Sequence, residues 1–181
     1  MKLAEMNWHE YFYYKDGKLI WKIRPLSHFS EVRVMNKCNT QYAGKVAGCL
    51  DDKGCGYILL HIYGERFLAH RVIWEMINGS IPKGMQVDHI NHIRNDNRIE
   101  NLRLVSKQCN QKNLSMNKRN KTGISGVTIN KRGKYFAQIG VRGKTTSLGY
   151  YDNIFDAACA RKAAEIDLLY HKNHGVKDVP A

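Results

Sequence analysis

Residues 87–113 read VDHINHIRNDNRIENLRLVSKQCNQKN. Two short apolar segments, 87–90 and 102–105, flank a polar loop over 91–97. Ser106 is a suitable N-cap for a helix that starts at Lys107, because its hydroxyl can accept a hydrogen bond from the first helical turn. The stretch therefore predicts the order strand, loop, strand, helix.

Four polar residues of this stretch suit metal-assisted hydrolysis. We expect the helix to lie against the hairpin and to bring Asn110 to Asp88, as two hard oxygen ligands for Mg²⁺ or Mn²⁺. His89 points to the other side of the strand, and its unperturbed pKa of about 6.5 suits a general base that activates water. Asn101 is placed to hydrogen-bond the loop backbone and hold the hairpin in register.

The segments on either side predict a mixed α+β protein. Upstream, residues 18–23 and 57–62 have the pattern of strands, and residues 69–78 that of a helix. Downstream, three strands are predicted over 127–129, 135–141 and 145–148. A helix capped by Asn153 follows, with a predicted apolar stripe of Phe155, Ala158, Cys159, Ile166, Leu169 and Tyr170.

The charge distribution favours a polyanionic partner. The chain has 181 residues and a formal net charge of +13, and no Asp or Glu occurs from Lys107 to Tyr151. A long block of one sign is typical of a nucleic-acid footprint. The candidate DNA contacts are Arg94, Arg98, Arg103, Arg119, Lys131, Arg132, Lys134, Arg142 and Lys144.

Segment 87–113 resembles the HNH endonuclease motif, in the form whose third position is Asn. The matching residues are His89, Asn101 and Asn110, with Asp88 directly before the His. The resemblance implies that Asp88 and Asn110 bind one divalent metal, that His89 is the general base and that Asn101 orders the loop. Segments 44–48, 56–60 and 69–75 resemble the leader of phage HNH endonucleases. His92 departs from the motif, because such loops often have Gly there.

Segment 123–170 resembles the Apetala-two type of DNA-binding domain found in plant ethylene-response factors and in some phage endonucleases. The matching stretches are 126–127, 133–139, 148–152 and 156–158. The resemblance implies that a three-stranded sheet enters the major groove while a helix braces it. Thr128 and Arg132 replace the Arg and Trp of plant members, so plant sequence specificity does not carry over.

These observations predict a phage-type, metal-dependent DNA endonuclease that hydrolyses phosphodiester bonds, site-specifically and in the manner of homing enzymes. The expected domains are a nuclease domain over 1–115 with a ββα-metal core at about 85–115, a basic linker over 116–122, a DNA-binding domain over 123–172 and a tail over 173–181. The alternatives are a DNA-binding regulator with a decayed nuclease site and an RNA-binding or RNA-cutting module. The target site, the choice between nicking and double-strand cutting, and the oligomeric state stay open.

Cysteine usage and hydropathy indicate a cytoplasmic location, without a membrane partner. The five cysteines are odd in number and have no C-x-x-C spacing, so we expect free, buried thiols rather than disulfides. A zinc site of Cys38, Cys49 and Cys55 is the alternative, although paired knuckle spacing is absent. No apolar run approaches the ~18–20 residues that span a bilayer, and no apolar signal core opens the chain.

Overall fold

The computed structural model describes residues 6–51, 55–114, 116–117, 119–172 and 174–176, except the side chain of Gln108. The chain divides into two compact units, residues up to Leu104 and residues from Val105 onward. Within the described ranges there are four α-helices and four small sheets, so the expected α+β class is confirmed. No described helix is long and apolar enough to cross a membrane.

The first unit consists of short hairpins and two helices. Its elements are β1 (Phe12–Lys15), β2 (Lys18–Trp21), α1 (Val32–Tyr42), β3 (Cys49–Leu50), β4 (Ile58–Ile62), β5 (Glu65–Leu68), α2 (Ala69–Asn78), β6 (Met85–His89) and β7 (Leu102–Ser106). Strands β1 and β2 pair, β4 lies between β3 and β5, and β6 pairs with β7. Strand β7 continues two residues past the boundary between the units.

A single apolar core holds the first unit together. It includes Trp8 and Tyr11 from the 3-10 turn before β1, Phe12 from β1, and Leu60 and Ile73 from β4 and α2. Val87 of β6 and Leu102 of β7 belong to the same core. The two strands that flank the polar loop are therefore anchored by buried apolar side chains, and this anchoring fixes where the loop begins and ends.

Helix α1 is an element that the sequence pattern did not predict. None of its residues is buried, and its N-cap residue Glu31 makes no side-chain capping bond. The helix is tied to the preceding segment by Asn39, whose amide accepts a hydrogen bond from the Arg24 N–H at 3.0 Å and donates to the Arg24 carbonyl at 2.9 Å. The helix is therefore held by a tertiary contact, since its own sequence provides no strong capping signal.

The second unit contains α3 (Lys107–Gln111), β8 (Val127–Ile129), β9 (Tyr135–Val141), β10 (Lys144–Tyr151) and α4 (Ile154–Asp167). Strand β9 lies between β8 and β10 in an antiparallel sheet, on which α4 packs. Both predicted caps form: Ser106 accepts a hydrogen bond from the Cys109 N–H, and Asn153 from the Asp156 N–H. The strands and helix predicted for 127–148 and beyond Asn153 are present.

The apolar stripe predicted for α4 is wrong. Phe155 and Ile166 are 72% and 74% exposed, whereas the buried residues of the helix are Ala157, Arg161 and Glu165. The buried apolar cluster here contains only Val127, Ala137 and Ala157. A small core leaves room for a buried polar pair on the helix, and spacing by apolar residues cannot reveal such a face.

The cysteines are free thiols, as expected, but they are not buried. Cys49, Cys55, Cys109 and Cys159 are exposed, and Cys38 is half-buried. Among the described residues, no three His, Cys, Asp or Glu side chains are grouped to hold a metal ion. The expectation of small buried thiols is therefore wrong, and the alternative zinc site finds no support in the part of the chain described.

Candidate active site

Asp88 and His89 occupy the end of β6 and face opposite sides of the strand, as successive strand residues do. The His89 side chain is 4% exposed. The Asp88 side chain is on the more open side, where its Oδ2 accepts hydrogen bonds from Arg103 Nε at 3.1 Å and Nη2 at 2.9 Å. Arg103 stands on the paired strand β7, so the hairpin itself brings this cation to the carboxylate.

His89 is fixed by a buried amide. Its Nε2 lies 2.9 Å from Oδ1 of Asn97, which is itself only 2% exposed. A hydrogen bond to an amide oxygen favours the neutral tautomer with its proton on Nε2. Burial lowers the pKa of His89, although Asn97 and the carboxylates of Asp88 and Asp96 oppose that shift. The ring is therefore neutral at neutral pH and able to take up a proton.

The loop between β6 and β7 is organised around Asn101 and Asp96. The Asn101 amide donates to the Asp96 carbonyl at 2.7 Å and accepts from the Asn91 N–H at 3.0 Å, so one side chain spans the loop. The Asp96 carboxylate accepts hydrogen bonds from Arg98 and from the Asn91 amide. Those bonds, from Arg98 above all, lower the pKa of Asp96 to about 2. The loop thus has an ionised centre at neutral pH.

His92 occupies a backbone conformation that favours glycine. Its φ is +67°, in the left-handed region, and its N–H donates to the His89 carbonyl at 3.2 Å. His, Asn and Asp enter this region more readily than other residues with a side chain. The conformation explains why Gly suits this position in the motif and why His92 can replace it.

A second buried imidazole lies against His89. The rings of His70 on α2 and His89 have centroids 4.8 Å apart in an edge-to-face arrangement, and the Tyr57 ring lies 5.2 Å from His70. Burial, followed by the neighbouring His89 and Arg71, lowers the pKa of His70 to about 3. His70 is therefore neutral across the physiological range, and its buried Nδ1 has no hydrogen-bond partner among the described residues.

Asn110 lies on the five-residue helix α3, in the second compact unit, and is half-buried. The chain leaving α3 is bonded to the segment that follows α4. Lys112 Nζ donates to the Leu168 carbonyl at 2.6 Å. The N–H groups of His171 and Gly175 donate to the carbonyls of Lys112 and Leu114 at 3.2 and 2.9 Å. The helix that carries Asn110 is thus anchored to the C-terminal unit.

The predicted basic contacts fall into two groups. In the loop region, Arg98 and Arg103 are paired with Asp96 and Asp88, and Arg94 donates to the Cys55 carbonyl and lies over the Tyr57 ring. In the second unit, Lys134 pairs with the exposed Asp152. Of the nine candidates, those that form no ion pair with any described residue are Arg94, Arg119, Lys131, Arg132, Arg142 and Lys144.

Sequence reasoning missed three residues that support the site. Asn97 is buried against His89, Asp96 accepts the hydrogen bonds at the centre of the loop, and the His70 ring lies against the His89 ring. The cluster N-D-N at 95–97 contains no pattern that separates a turn residue from a buried partner. Asn97 becomes a buried partner of His89 because the loop folds back onto β6, and the local sequence does not indicate this.

Comparison with known proteins finds a family for this region. Residues 67–112 match the model described as HNH endonuclease. These residues carry an HNH endonuclease domain. The match begins in β5 and ends directly after α3, so it includes His70, Asp88, His89, Asn101 and Asn110. HNH nucleases generally use a divalent metal and act on DNA, and the match therefore supports a nuclease.

Two curated relatives are viral. "Protein 3.8" of Escherichia phage T7 is 33% identical over 84 residues, which are 46% of this chain and 65% of that protein. An uncharacterised HNH endonuclease of Acanthamoeba polyphaga mimivirus is 38% identical over 76 residues, 41% of this chain and 40% of that protein. The chain thus spans less than two thirds of either relative. No solved structure matches significantly.

Proposed function

We propose that this chain is a metal-dependent DNA endonuclease that hydrolyses a phosphodiester bond at a specific site, in the manner of homing enzymes. The observation that carries the proposal is His89, a buried imidazole held by Asn97 beside a carboxylate, within the segment that matches the HNH family. Asn101 supports it from the loop. A ββα-metal core made of β6, β7 and α3 is part of the proposal.

In the proposed reaction, the neutral His89 imidazole accepts a proton from the attacking water. The water oxygen forms a bond to phosphorus, and the bond from phosphorus to the 3′ oxygen breaks. The 3′ oxygen takes up a proton from solvent, so atoms and charge balance without a covalent enzyme intermediate. Asn97 and Asn101 contribute by holding the ring and the loop in one geometry before substrate arrives.

Asp88 and Asn110 are the residues we propose as metal ligands. A carboxylate and an amide oxygen are ligands that Mg²⁺ and Mn²⁺ accept, with water filling the remaining positions. When bound, the metal supplies positive charge next to the phosphate and the departing oxygen. Arg103 donates to Oδ2 of Asp88, and a carboxylate together with an amide oxygen is a donor set of the kind that hard divalent ions accept.

Recognition of duplex DNA is assigned in this proposal to the sheet of the second unit, as in an Apetala-two type domain. Three of the cations without an ion pair lie in turns between its strands: Lys131, Arg132 and Arg142. Phe136 and Tyr150, cross-strand partners with ring centroids 4.7 Å apart, lie on the face of the sheet opposite the buried Ala137. An aromatic face rimmed by cations suits contact with DNA.

One observation favours a second candidate, a DNA-binding regulator with a decayed nuclease site. The ion pair between Arg103 and Asp88 places a cation on the carboxylate that a metal would need. In a protein that binds no metal, the pair between Arg103 and Asp88 would contribute only to stability. The two candidates differ in one outcome, which is cleavage of a DNA that the protein binds.

The test uses supercoiled plasmid and linear DNA that carries a site selected by binding, with Mg²⁺ or with EDTA. We expect nicked or linear product only with Mg²⁺, and loss of cleavage but not of gel-shift binding in His89→Ala. His61→Ala, on the exposed side of β4, is the matched control and should cut normally. Tight binding without cleavage of the selected site would establish the regulator, and normal cutting by His89→Ala would disprove the assigned base.

A further inference from the structure

Helix α3 and the turn between β9 and β10 enclose a cleft of about 360 Å³ in the second unit. Its lining includes Gln111 and Lys112 at the end of α3. It also includes Arg142, Lys144 and Thr145 of the hairpin, and Tyr170 from the segment after α4. A cavity of this volume is at the small end of the range for ligand sites, so it is a recess rather than a flat charged surface.

The cleft is strongly basic. Three of its lining residues are cations, and no Asp or Glu is among the described residues that line it. Arg142 and Lys144 form no ion pair with any described residue, and Lys112 uses one of its three ammonium protons on the Leu168 carbonyl. Converging cations without carboxylate partners create a positive potential that a surface of mixed charges does not.

The walls of the cleft are held by hydrogen bonds rather than by the cations. The Tyr170 hydroxyl donates to the Gly140 carbonyl at 2.8 Å, and the His171 N–H donates to the Lys112 carbonyl at 3.2 Å. The Lys112 ammonium lies 5.6 Å from the centroid of the Tyr170 ring. These contacts fix the backbone that carries the basic residues of the cleft.

We propose that this cleft binds a phosphodiester of the DNA substrate's backbone, with Lys112, Arg142 and Lys144 contacting one phosphate or two adjacent ones. The proposal rests on the proposed endonuclease function and goes beyond it by naming where a strand crosses the second unit. Lys112 is two residues beyond Asn110, a distance of about 3 Å along a helix. A phosphate held here therefore sets the position of the strand relative to the helix that carries Asn110.

The alternative for a basic hairpin turn is ordinary solvation, and Lys112 alone would then serve only as a partner for the carbonyls at the end of α4. Solvation does not explain why a cation directly after α3 and two cations from a distant hairpin line the same recess. The alternative and the proposal also differ in a measurable way. Only a shared phosphate makes Lys112 and Arg142 sensitive to the same position of the DNA.

The experiment measures duplex binding in EDTA, so that it needs no cleavage, on DNAs that each carry one neutral methylphosphonate. The variants are Lys112→Met and the double variant Arg142→Asn/Lys144→Gln. Asn suits the left-handed φ of +49° at position 142, so the turn should keep its shape. The double variant Arg33→Gln/Lys37→Gln removes the same charge from exposed positions of α1 and is the matched control.

For the wild-type protein we expect one or two adjacent methylphosphonates to weaken binding. The same positions should have no effect in Lys112→Met and in Arg142→Asn/Lys144→Gln. The slope of log affinity against log salt should become less steep by about one for each cation that is lost. The control variant should retain the wild-type slope and the wild-type pattern of sensitive positions.

Three results would overturn the proposal. If wild type binds and cuts DNA but Lys112→Met and the hairpin variant leave the pattern unchanged, or affect separate positions, the cleft is not a shared phosphate site. That result leaves the nuclease function intact. If wild type binds no duplex DNA at low salt, both the cleft proposal and the DNA-binding part of the proposed function fail. Binding of inorganic phosphate or a mononucleotide, without effect of backbone neutralisation, would point to a small-anion site instead.

Discussion

The two compact units differ in the size of their apolar cores and in the charge of the polar groups they bury. Among the described residues of the first unit, twelve buried apolar side chains form one core, and two buried imidazoles, His70 and His89, are neutral at neutral pH. In the described part of the second unit, the buried apolar cluster has three members, and an ion pair, Arg161 with Glu165, is also buried. The first unit thus buries neutral imidazoles with a larger apolar core, whereas the second unit buries charged groups with a smaller one.

The charged pair of the second unit connects three segments of the chain. Arg161 Nε donates to Glu165 at 2.8 Å, Nη1 donates to the Gln138 carbonyl of β9, and Nη2 lies 3.0 Å from His174 Nε2. One guanidinium thereby joins the sheet, α4 and the segment after it. Removing one member of a buried pair leaves the other uncompensated, which is the costly case.

The largest expected effect comes from breaking this pair. We expect Arg161→Leu to lower the free energy of unfolding of the second unit by about 3 kcal/mol, because the buried Glu165 then keeps only the exposed Lys162 as an ionic partner and the Gln138 carbonyl loses the guanidinium. Chemical denaturation followed by circular dichroism measures the change. Tryptophan emission serves as an internal reference, because Trp8, Trp21 and Trp74 all lie in the first unit.

The matched control is the double variant Arg161→Leu/Glu165→Leu, which removes both charges. We expect it to recover at least half of the lost stability, since replacing a whole buried pair by apolar groups is often neutral. A single variant as stable as the wild type, or a double variant no better than the single one, would show that the pair does not hold the unit together.

The next effect concerns activity in the first unit. Asn97→Ala removes the acceptor for His89 Nε2, so the imidazole loses its fixed orientation. A small misplacement of a catalytic group costs up to about 100-fold in rate, and we expect kcat for cleavage to fall about 10–100-fold with KM nearly unchanged. Steady-state cleavage of the selected DNA site measures both constants.

Asn95→Ala is the control for this experiment. Asn95 lies in the same loop, where its backbone carbonyl accepts a hydrogen bond from the Asn97 N–H at 3.1 Å. Its side chain should therefore be replaceable with little loss of rate. Equal losses of kcat in both variants would mean that Asn97 only shapes the loop and does not position His89.

These residues mark where prediction from sequence stops. The strands at 102–106 and 135–141 and the caps Ser106 and Asn153 were predictable, because alternation and capping act within a few residues. Helix α1 was not predictable, because the contact that holds it joins Asn39 of the helix to Arg24, which lies outside it. The polar buried face of α4 was missed for a related reason, since charge inside a core depends on a partner that spacing does not reveal.

The candidate site was also predictable only in part. The residues at positions 88, 89, 101 and 110 could be selected from the sequence, because they match the spacing of the HNH motif, and their roles in catalysis and metal binding stay predictions. The environment of His89 could not be selected, because Asn97, His70 and Tyr57 reach it through three different elements. Burial and neighbouring rings are properties of the folded chain and set the protonation state.

A smaller effect should appear as sensitivity to acid. The pKa of His70 in the folded protein is about 3, below its ordinary value of 6.5, so the unfolded chain binds this proton more readily. Stability is therefore complete above pH 6.5 and is lost as the pH falls towards 3, by up to about 1.4 kcal/mol per pH unit. We expect a loss of about 2 kcal/mol between pH 6.5 and pH 5.

Variants separate His70 from the other imidazoles whose pKa burial lowers, His89 and His174. His70→Phe keeps an aromatic ring against Tyr57 and should remove one proton's share of the slope of stability against pH. His61→Gln replaces an exposed imidazole and should leave the slope as it is. A slope that His70→Phe does not change would show that His70 is protonated in the folded protein.

The smallest effect is expected at His92, where backbone conformation alone is tested. Its φ of +67° costs a residue with a side chain up to about 1–2 kcal/mol, and glycine avoids that cost but loses more chain entropy on folding. We therefore expect His92→Gly to change stability by less than about 1 kcal/mol and to leave cleavage intact.

His92→Val, with a branched Cβ that suits φ > 0 poorly, should destabilise the loop and lower kcat. Thermal unfolding and cleavage assays measure both variants. Equal behaviour of Gly and Val would mean that the loop does not require the left-handed conformation, and that the imidazole, rather than the backbone, is what this position contributes.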